Sequence, residues 1–337
     1  MQRLLILHGA SQGPNPTADE AETQQVAYSL ARLLSGPDWS CEIAHADLNL
    51  ERLRIWLLKS PPDLVFNLVE GLNGQDRLAC AIPALLESLS LPFTGNPTTV
   101  IALADDKLAL KRQLCTLGLP TPPAGPIVDP GATFIVKARF QHASLGLGPD
   151  ARVTSWPAAE RLIEIQSRRH GTPFFAEAFI PGREFNLSLL ETAGGHIRLL
   201  PPAEIEFRNW PADRPQIVDY EAKWDPESPA AQGTVRVFPK GDGPDGAILQ
   251  TLYGLAGILF DRLGLAGYAR VDFRVDSQGQ PWIIDLNPNP TLDPEAGFAQ
   301  AAQAGGLGYR DLIEEILDQA AKRAVESSPP LRGYTGD

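Results

Sequence analysis

The stretch that most constrains this chain is Gly267 to Pro290, GYARVDFRVDSQGQPWIIDLNPNP, which puts acids and an amide where buried strands ordinarily carry only apolar residues. Val271, Phe273 and Val275 alternate with Arg270, Asp272 and Arg274, and Trp282, Ile284 and Leu286 alternate with Ile283, Asp285 and Asn287, which is strand period on both arms. Asp276-Ser277-Gln278-Gly279 supplies the turn between them. An antiparallel pair closed by so short a turn sets Asp272 nearly opposite Asp285, with Asn287 one pleat further along the same face. Two carboxylates that close repel unless a cation lies between them, and an all-oxygen set of two acids and an amide suits Mg²⁺ or Mn²⁺ better than zinc. Arg270, two residues before Asp272, points to the same face. The same residues also suit the solvated face of an ordinary edge hairpin.

The rest of the chain alternates. Residues 3–8 read as a parallel strand, followed by a glycine-bearing loop, a helix from Thr17 to Leu34, a strand near Glu42 to Ala46, a helix at Leu50 to Leu58, a third strand at Leu64 to Asn67 and a helix from Arg77 to Ser88. This is a doubly wound first domain, predicted to span 1–96. A helix from Ala104 to Leu117, ended by Gly118 and three nearby prolines, opens a small α+β unit, 97–180. A third unit, 181–326, starts with a strand to Leu190 and a hairpin turn at Gly194-Gly195. It continues with a proline-rich loop from Pro201 to Pro239, a helix from Gly246 to Leu263, the constraining hairpin and two closing helices. Residues 327–337 read as a disordered tail. At 337 residues several packed units are expected, and a net charge of −12 without a basic stripe argues against nucleic acid or anionic membrane as partner. Cys41, Cys80 and Cys115 are scattered, which indicates neither a disulfide framework nor a zinc site. No apolar run is long enough for a signal peptide or a membrane span, so a cytoplasmic protein is expected, with a homodimer left open.

Several short motifs, in order, carry a resemblance. Asp105-Asp106-Lys107, Lys137, the loop from Ser144 to Gly148, Glu177-Ala178-Phe179-Ile180, Glu184, Tyr220-Glu221-Ala222-Lys223 and the hairpin residues agree together with one pattern. Over roughly residues 60–320 the chain resembles the ATP-grasp enzymes, and within them the D-alanine–D-alanine ligase-like branch. The resemblance implies an α/β ATP-grasp architecture: a doubly wound N-terminal domain, a small lid domain and a C-terminal catalytic domain. It implies ATP as cosubstrate, with Lys107, Lys137 and Lys223 on the phosphates and Ser144 in the lid. Glu177, Ala178, Ile180 and Ile284 would line the base, and Glu184 would hold the ribose. Asp272, Asp285 and Asn287 would hold Mg²⁺ or Mn²⁺, and Arg270 would face an oxyanion.

The departures from that family are equally legible. The loop after the first strand has no acid until Asp19; the lid has Ala143-Ser144 where the family has two serines; Trp224 follows the lysine of the YEAK loop where a tyrosine is usual. Glu70 stands where the family has a histidine, and Ala296 or Gly297 where it has a serine. These differences predict a ligase for amino-acid or peptide substrates with a pocket rebuilt around Glu70, Ala143 and Trp224. A genuine D-alanine–D-alanine ligase, or a nucleotide-binding protein without catalysis, are the other readings. Glu70 itself either faces a cationic substrate group, caps the following helix or pairs with Arg77.

Overall fold

The computed structural model describes residues 1–13, 15–127, 131–241 and 243–327. The first unit is built from β1 (Gln2–Gly9), α1 (Ala18–Leu34), β2 (Trp39–Ala46), α2 (Leu50–Lys59), β3 (Leu64–Leu68) and α3 (Ala81–Ser88). Its parallel sheet has the order β2-β1-β3. Strand alternation divides β1 between two cores: Leu4 and Ile6 pack with Val26, Ala27 and Leu30 of α1, while Leu5 and Leu7 pack with Leu53, Leu57, Ile82 and Leu86 of α2 and α3. The strand expected from Glu42 begins three residues earlier. The helix expected from Arg77 is a 3-10 turn, Asp76–Leu78, followed by α3. Pro83 accounts for the late start, because a proline without an N–H is tolerated in the first turn of a helix and not in its interior.

The helix expected over Ala104 to Leu117 is two helices, α4 (Thr98–Asp105) and α5 (Lys107–Thr116). Asp106 divides them. Its carboxylate accepts the Leu108 and Ala109 N–H groups, both at 3.1 Å, and so caps a new helix whose first residue is Lys107. Next come β4 (Phe134–Ala138), β5 (Arg152–Val153), α6 (Trp156–His170) and β6 (Phe174–Ala178), a three-stranded sheet of order β5-β4-β6 under one helix. Its core is small, with Phe134, Val136, Ala159 and Phe174 at the centre. Val100, Ala104, Leu110 and Leu114 of α4 and α5 are buried in the C-terminal core instead.

The C-terminal unit contains β7 (Arg183–Glu191), β8 (Ile197–Leu199), β9 (Ala203–Phe207), α7 (Tyr220–Trp224), α8 (Pro229–Gly233), β10 (Thr234–Val237), α9 (Gly246–Leu263), β11 (Tyr268–Val275), β12 (Pro281–Asn287), α10 (Gly297–Ala304) and α11 (Tyr309–Ser327). The segment from Pro201 to Pro239, expected as one long loop, therefore contributes two strands and two short helices. Ala203 and Ile205 give β9 its buried face, and the flanking prolines hid a strand that begins just after them. The sheet runs β10-β9-β7-β11-β12, with β8 paired to β7. Phe298 of α10 and Leu312, Ile313 and Ile316 of α11 share a core with β1 and α1, which joins the last helices to the first sheet. Ser327 ends α11, and the tail beyond it lies outside the described residues. Among the described residues no helix is long and apolar enough to cross a membrane.

Candidate active site

A cavity of about 460 Å³ lies where the small lid sheet, the C-terminal sheet and the start of α1 meet, and Glu70, Lys107, Lys137, Ala143, Ser144, Glu177, Ala178, Ile180, Glu184, Lys223, Trp224, Arg270, Asp272, Ile284, Asp285 and Asn287 all line it. The hairpin supplies its floor. Asp272 pairs directly with Asp285 and Arg270 with Asn287, as the short turn requires. The register then slips by one residue, so Phe273 faces Ile283 and Ile284 is the extra residue of a bulge. A bulge re-aims the backbone beside it. Here the freed Ile284 carbonyl accepts Lys137 Nζ at 3.1 Å.

Asp272 and Asp285 each have a cation on them. Arg270 donates Nε and Nη2 to the two oxygens of Asp272 at 2.7 and 2.9 Å, and Asn186 of β7 adds a third donor at 2.8 Å. Lys107 Nζ lies 3.0 and 3.1 Å from the Asp285 oxygens. Burial alone would raise the Asp285 pKa, but Lys107, His142 and Lys137 outweigh it and hold the carboxyl far below the ordinary range. Asn287 Oδ1 accepts the Asn289 N–H at 3.0 Å and keeps a second lone pair. This donor set fits a hard divalent cation. Among the described residues no three His, Cys, Asp or Glu side chains converge as a closed metal site. Two carboxylates and an amide, with the remaining positions left to ligand oxygens, is how Mg²⁺ is commonly held beside phosphates.

Beside the hairpin lies a buried row of charge. Glu177, 1% exposed, receives Lys111 at 2.5 Å and Lys137 at 2.6 Å. Lys111 also donates to Thr121 Oγ1 and the Pro122 carbonyl. The carboxylate expected to read a base is thus held by two lysines in the ligand-free cavity. Burial opposes the Lys137 charge, yet Glu177 and Asp285 raise its pKa above the ordinary lysine value. Glu184 is similarly engaged, accepting Arg274 Nη1 at 3.0 Å, while Arg274 Nε donates to the Ile180 carbonyl at 3.1 Å. Burial raises the Glu184 pKa against the pull of Arg274.

The lid is closed onto its neighbours. Ala143 and Ser144 both have positive φ, 58° and 60°, which turns the loop inward. Ser144 Oγ donates to the Val218 carbonyl at 2.9 Å, and Trp224 Nε1 donates to the Ala143 carbonyl at 3.1 Å. Trp224 also lies under Lys223, whose Nζ is 4.9 Å from the ring centre. Burial and then Arg270 lower the Lys223 pKa, against Glu70 and Glu22.

Two expectations about the substrate side change. Asp19 and Glu22 line the cavity, so the segment after β1 does bring acids to it. Their three-residue spacing on the predicted helix was the available signal, since it places both on one face. Arg77 donates to Gln75 at 2.7 and 3.1 Å, so the Arg77–Glu70 pair is not formed. Glu70 is left with the Thr23 hydroxyl at 3.5 Å, and burial, aided by Asp76 and Glu22 and opposed by Lys223, raises its pKa to about 7. His142 had no sequence signal. Its Nε2 lies 3.0 Å from Asp105 Oδ1 and its backbone N–H 2.7 Å from Asp76 Oδ2, which fastens the lid to the first unit.

The family described as D-ala D-ala ligase C-terminus matches residues 131–318. A D-alanine–D-alanine ligase of Gloeobacter violaceus is 29% identical over 281 residues, 80% of this chain and 85% of its own length. One from a Synechococcus strain is 30% identical over 286 residues, 81% of each. The crystal structure of D-alanine–D-alanine ligase from Bacillus anthracis superposes with a TM-score of 0.75 at 18% identity, covering 97% of this chain and 100% of that one. A crystal structure of that organism's enzyme complexed with ATP gives 0.73 at 16%. At such identities the likeness speaks for the fold.

Proposed function

This chain belongs to the D-alanine–D-alanine ligase family, ATP-dependent enzymes that form a C–N bond, and from that premise we propose a carboxylate–amine ligase whose amino-acid pocket has been altered around Glu70, Ala143 and Trp224. ATP would lie between the two sheets, with Lys107 and Lys137 on its phosphates and the strand from Glu177 to Ile180 beside the base. Asp272, Asp285 and Asn287 would hold Mg²⁺ or Mn²⁺, which when bound offsets phosphate charge. A substrate carboxylate takes the γ-phosphoryl group to give an acyl phosphate, an amine attacks its carbonyl carbon, and phosphate leaves. Arg270 would stabilise the oxyanion of the tetrahedral intermediate. The lid, held by Ser144, Ala143 and His142, keeps water from the acyl phosphate.

The observation that carries the reading is that one cavity contains both the lysine–aspartate apparatus and a set of acids, Asp19, Glu22 and Glu70, facing Lys223. The first suits phosphoryl transfer. The second suits the cationic group of an amine substrate, and Trp224 adds a flat wall beside it. Release of phosphate from ATP, measured against a panel of L- and D-amino acids and dipeptides with mass spectrometry of the products, tests it. An ATP-dependent amide product from something other than two D-alanines is expected. D-Alanyl-D-alanine as the sole product would favour a second reading, the unaltered family reaction, for which Glu22 is the supporting residue because it offers an ammonium group an acid from α1. No amide product with any member of the panel would sink both.

A further inference from the structure

One step of the proposed reaction is left without a residue. At neutral pH an amine arrives mostly as its ammonium ion, and Asp19, Glu22 and Glu70 suit that charged form. The nitrogen can attack the acyl phosphate only after it has given up a proton, so the site needs a base. Asp272, Asp285, Glu177 and Glu184 are held by cations, and the lysines are assigned to phosphate.

His142 is the one histidine among the described residues that line the cavity. Its Nε2 lies 3.0 Å from Oδ1 of Asp105, the last residue of α4. Asp105 is 4% exposed, and its Oδ2 has no other partner among the described residues, so this carboxylate is devoted to the imidazole. Donation from Nε2 fixes the tautomer of the neutral ring and leaves the lone pair on Nδ1, which has no hydrogen-bond partner among the described residues. Asp76 accepts the His142 backbone N–H at 2.7 Å, and Gln141 donates to the Gly74 carbonyl at 3.1 Å, so the ring is held from the first unit as well. None of Asp272, Asp285 and Asn287 is hydrogen-bonded to it. Charged groups act on the ring from five directions: Asp105 from α4, Lys107 from α5, Asp76 from the 3-10 turn, Glu70 from the loop after β3 and Asp285 from β12. Burial and Lys107 lower its pKa, but Asp105 and Asp76 outweigh them and raise it above the ordinary histidine value.

We propose that His142, oriented by Asp105, is the catalytic base of the amide-forming step and takes a proton from the acceptor's ammonium group on Nδ1. The N–H bond breaks as Nδ1–H forms, and the freed lone pair attacks the carbonyl carbon of the acyl phosphate. The oxyanion then collapses, the C–O bond pair leaves with phosphate, and phosphate takes the second proton from nitrogen. Asp105 stabilises the imidazolium in the interval. This rests on the ligase reading above and goes beyond it in assigning the proton transfer.

The test sets two acceptors against each other in wild type, His142→Gln and Asp105→Asn. One is the acceptor that the panel selects; the other is hydroxylamine, which is largely uncharged at neutral pH and needs no base. Hydroxamate formation then reports the acyl phosphate alone. Each variant should lose amide formation on the order of 100-fold or more relative to hydroxamate formation, through kcat and not KM. The deficit should shrink as the pH rises and the ammonium group ionises unaided. Glu70, the other group that titrates near neutrality, is told apart by its effect: Glu70→Gln raises the KM for a cationic substrate, whereas His142→Gln lowers kcat. Equal loss of amide and hydroxamate would make the pair structural and overturn the proposal, as would an unchanged amide rate. Absence of both products in wild type would instead sink the ligase reading itself, and the base with it.

Discussion

Replacing Glu70 by Gln should stabilise the ligand-free protein above neutral pH while weakening its hold on a cationic substrate. Glu70 is part-buried, faces Asp76 and Glu22 on its own side and Lys223 and His142 across the cavity, and has its pKa moved from 4.5 to about 7. Because the folded pKa lies above the unfolded one, the folded protein keeps a proton that the unfolded chain gives up between those values. Stability contributed by this group is therefore complete below about pH 4.5 and falls as the pH rises to about 7. Converted at 1.36 kcal/mol per pH unit, the full loss is about 3 kcal/mol. Glutamine does not titrate. In differential scanning calorimetry the Gln variant should match wild type near pH 4 and exceed it near pH 8 by about 5 °C in Tm, for a chain of this size. Titrations of groups that do not interact with Glu70 are common to both proteins and cancel in the difference. Parallel Tm curves from pH 5 to pH 8 would refute the reasoning, since they would mean that Glu70 ionises freely in the folded state. The functional counterpart is a raised KM for a cationic substrate with the KM for ATP unchanged.

Two further substitutions probe the phosphoryl-transfer apparatus. Asp285→Asn should cut turnover by orders of magnitude, because it removes one charge that positions the cation, and should lower Tm, because it leaves the buried Lys107 without its carboxylate; near-normal phosphate release would remove Asp285 from the site. Lys137→Ala should weaken ATP far more than adenosine, because only the phosphates lose a partner, and should cost less stability than breaking a lone buried pair, about 3 kcal/mol, because Glu177 keeps Lys111. Equal loss of affinity for both ligands would make the lysine structural.

What the sequence revealed was whatever short-range geometry fixes. The register that sets Asp272 against Asp285 follows from a four-residue turn, and the two faces of β1 follow from alternation. Contacts that depend on packing between distant segments left no local signal. Nothing near Glu177 in the sequence announces that α5 brings Lys111 beside it. His142 meets Asp105 and Asp76 only because the lid closes on two other elements. Strand β10, TVRV, left no signal because four residues are too short to show a period. Asp106 shows the opposite failure. Helical periodicity ran straight through it, and a capping side chain inside an apolar pattern still broke the helix.

The pairing of charges within the ligand-free cavity explains how so many ionised groups are tolerated there. Lone buried charges are costly, and a buried pair offsets that cost only when its geometry is good. Arg270 with Asp272, Lys107 with Asp285, and Glu177 with Lys111 and Lys137 each meet that condition. These same pairings keep carboxylates and cations together at one wall of the ligand-free cavity. A divalent cation held by Asp272 and Asp285 would have to displace the cationic side chains now on those carboxylates, and a phosphate would be a suitable partner for the displaced Lys107. Glu70 lies outside this scheme: among the described residues it has no cation in salt-bridge contact, and the ammonium group of a substrate would supply one.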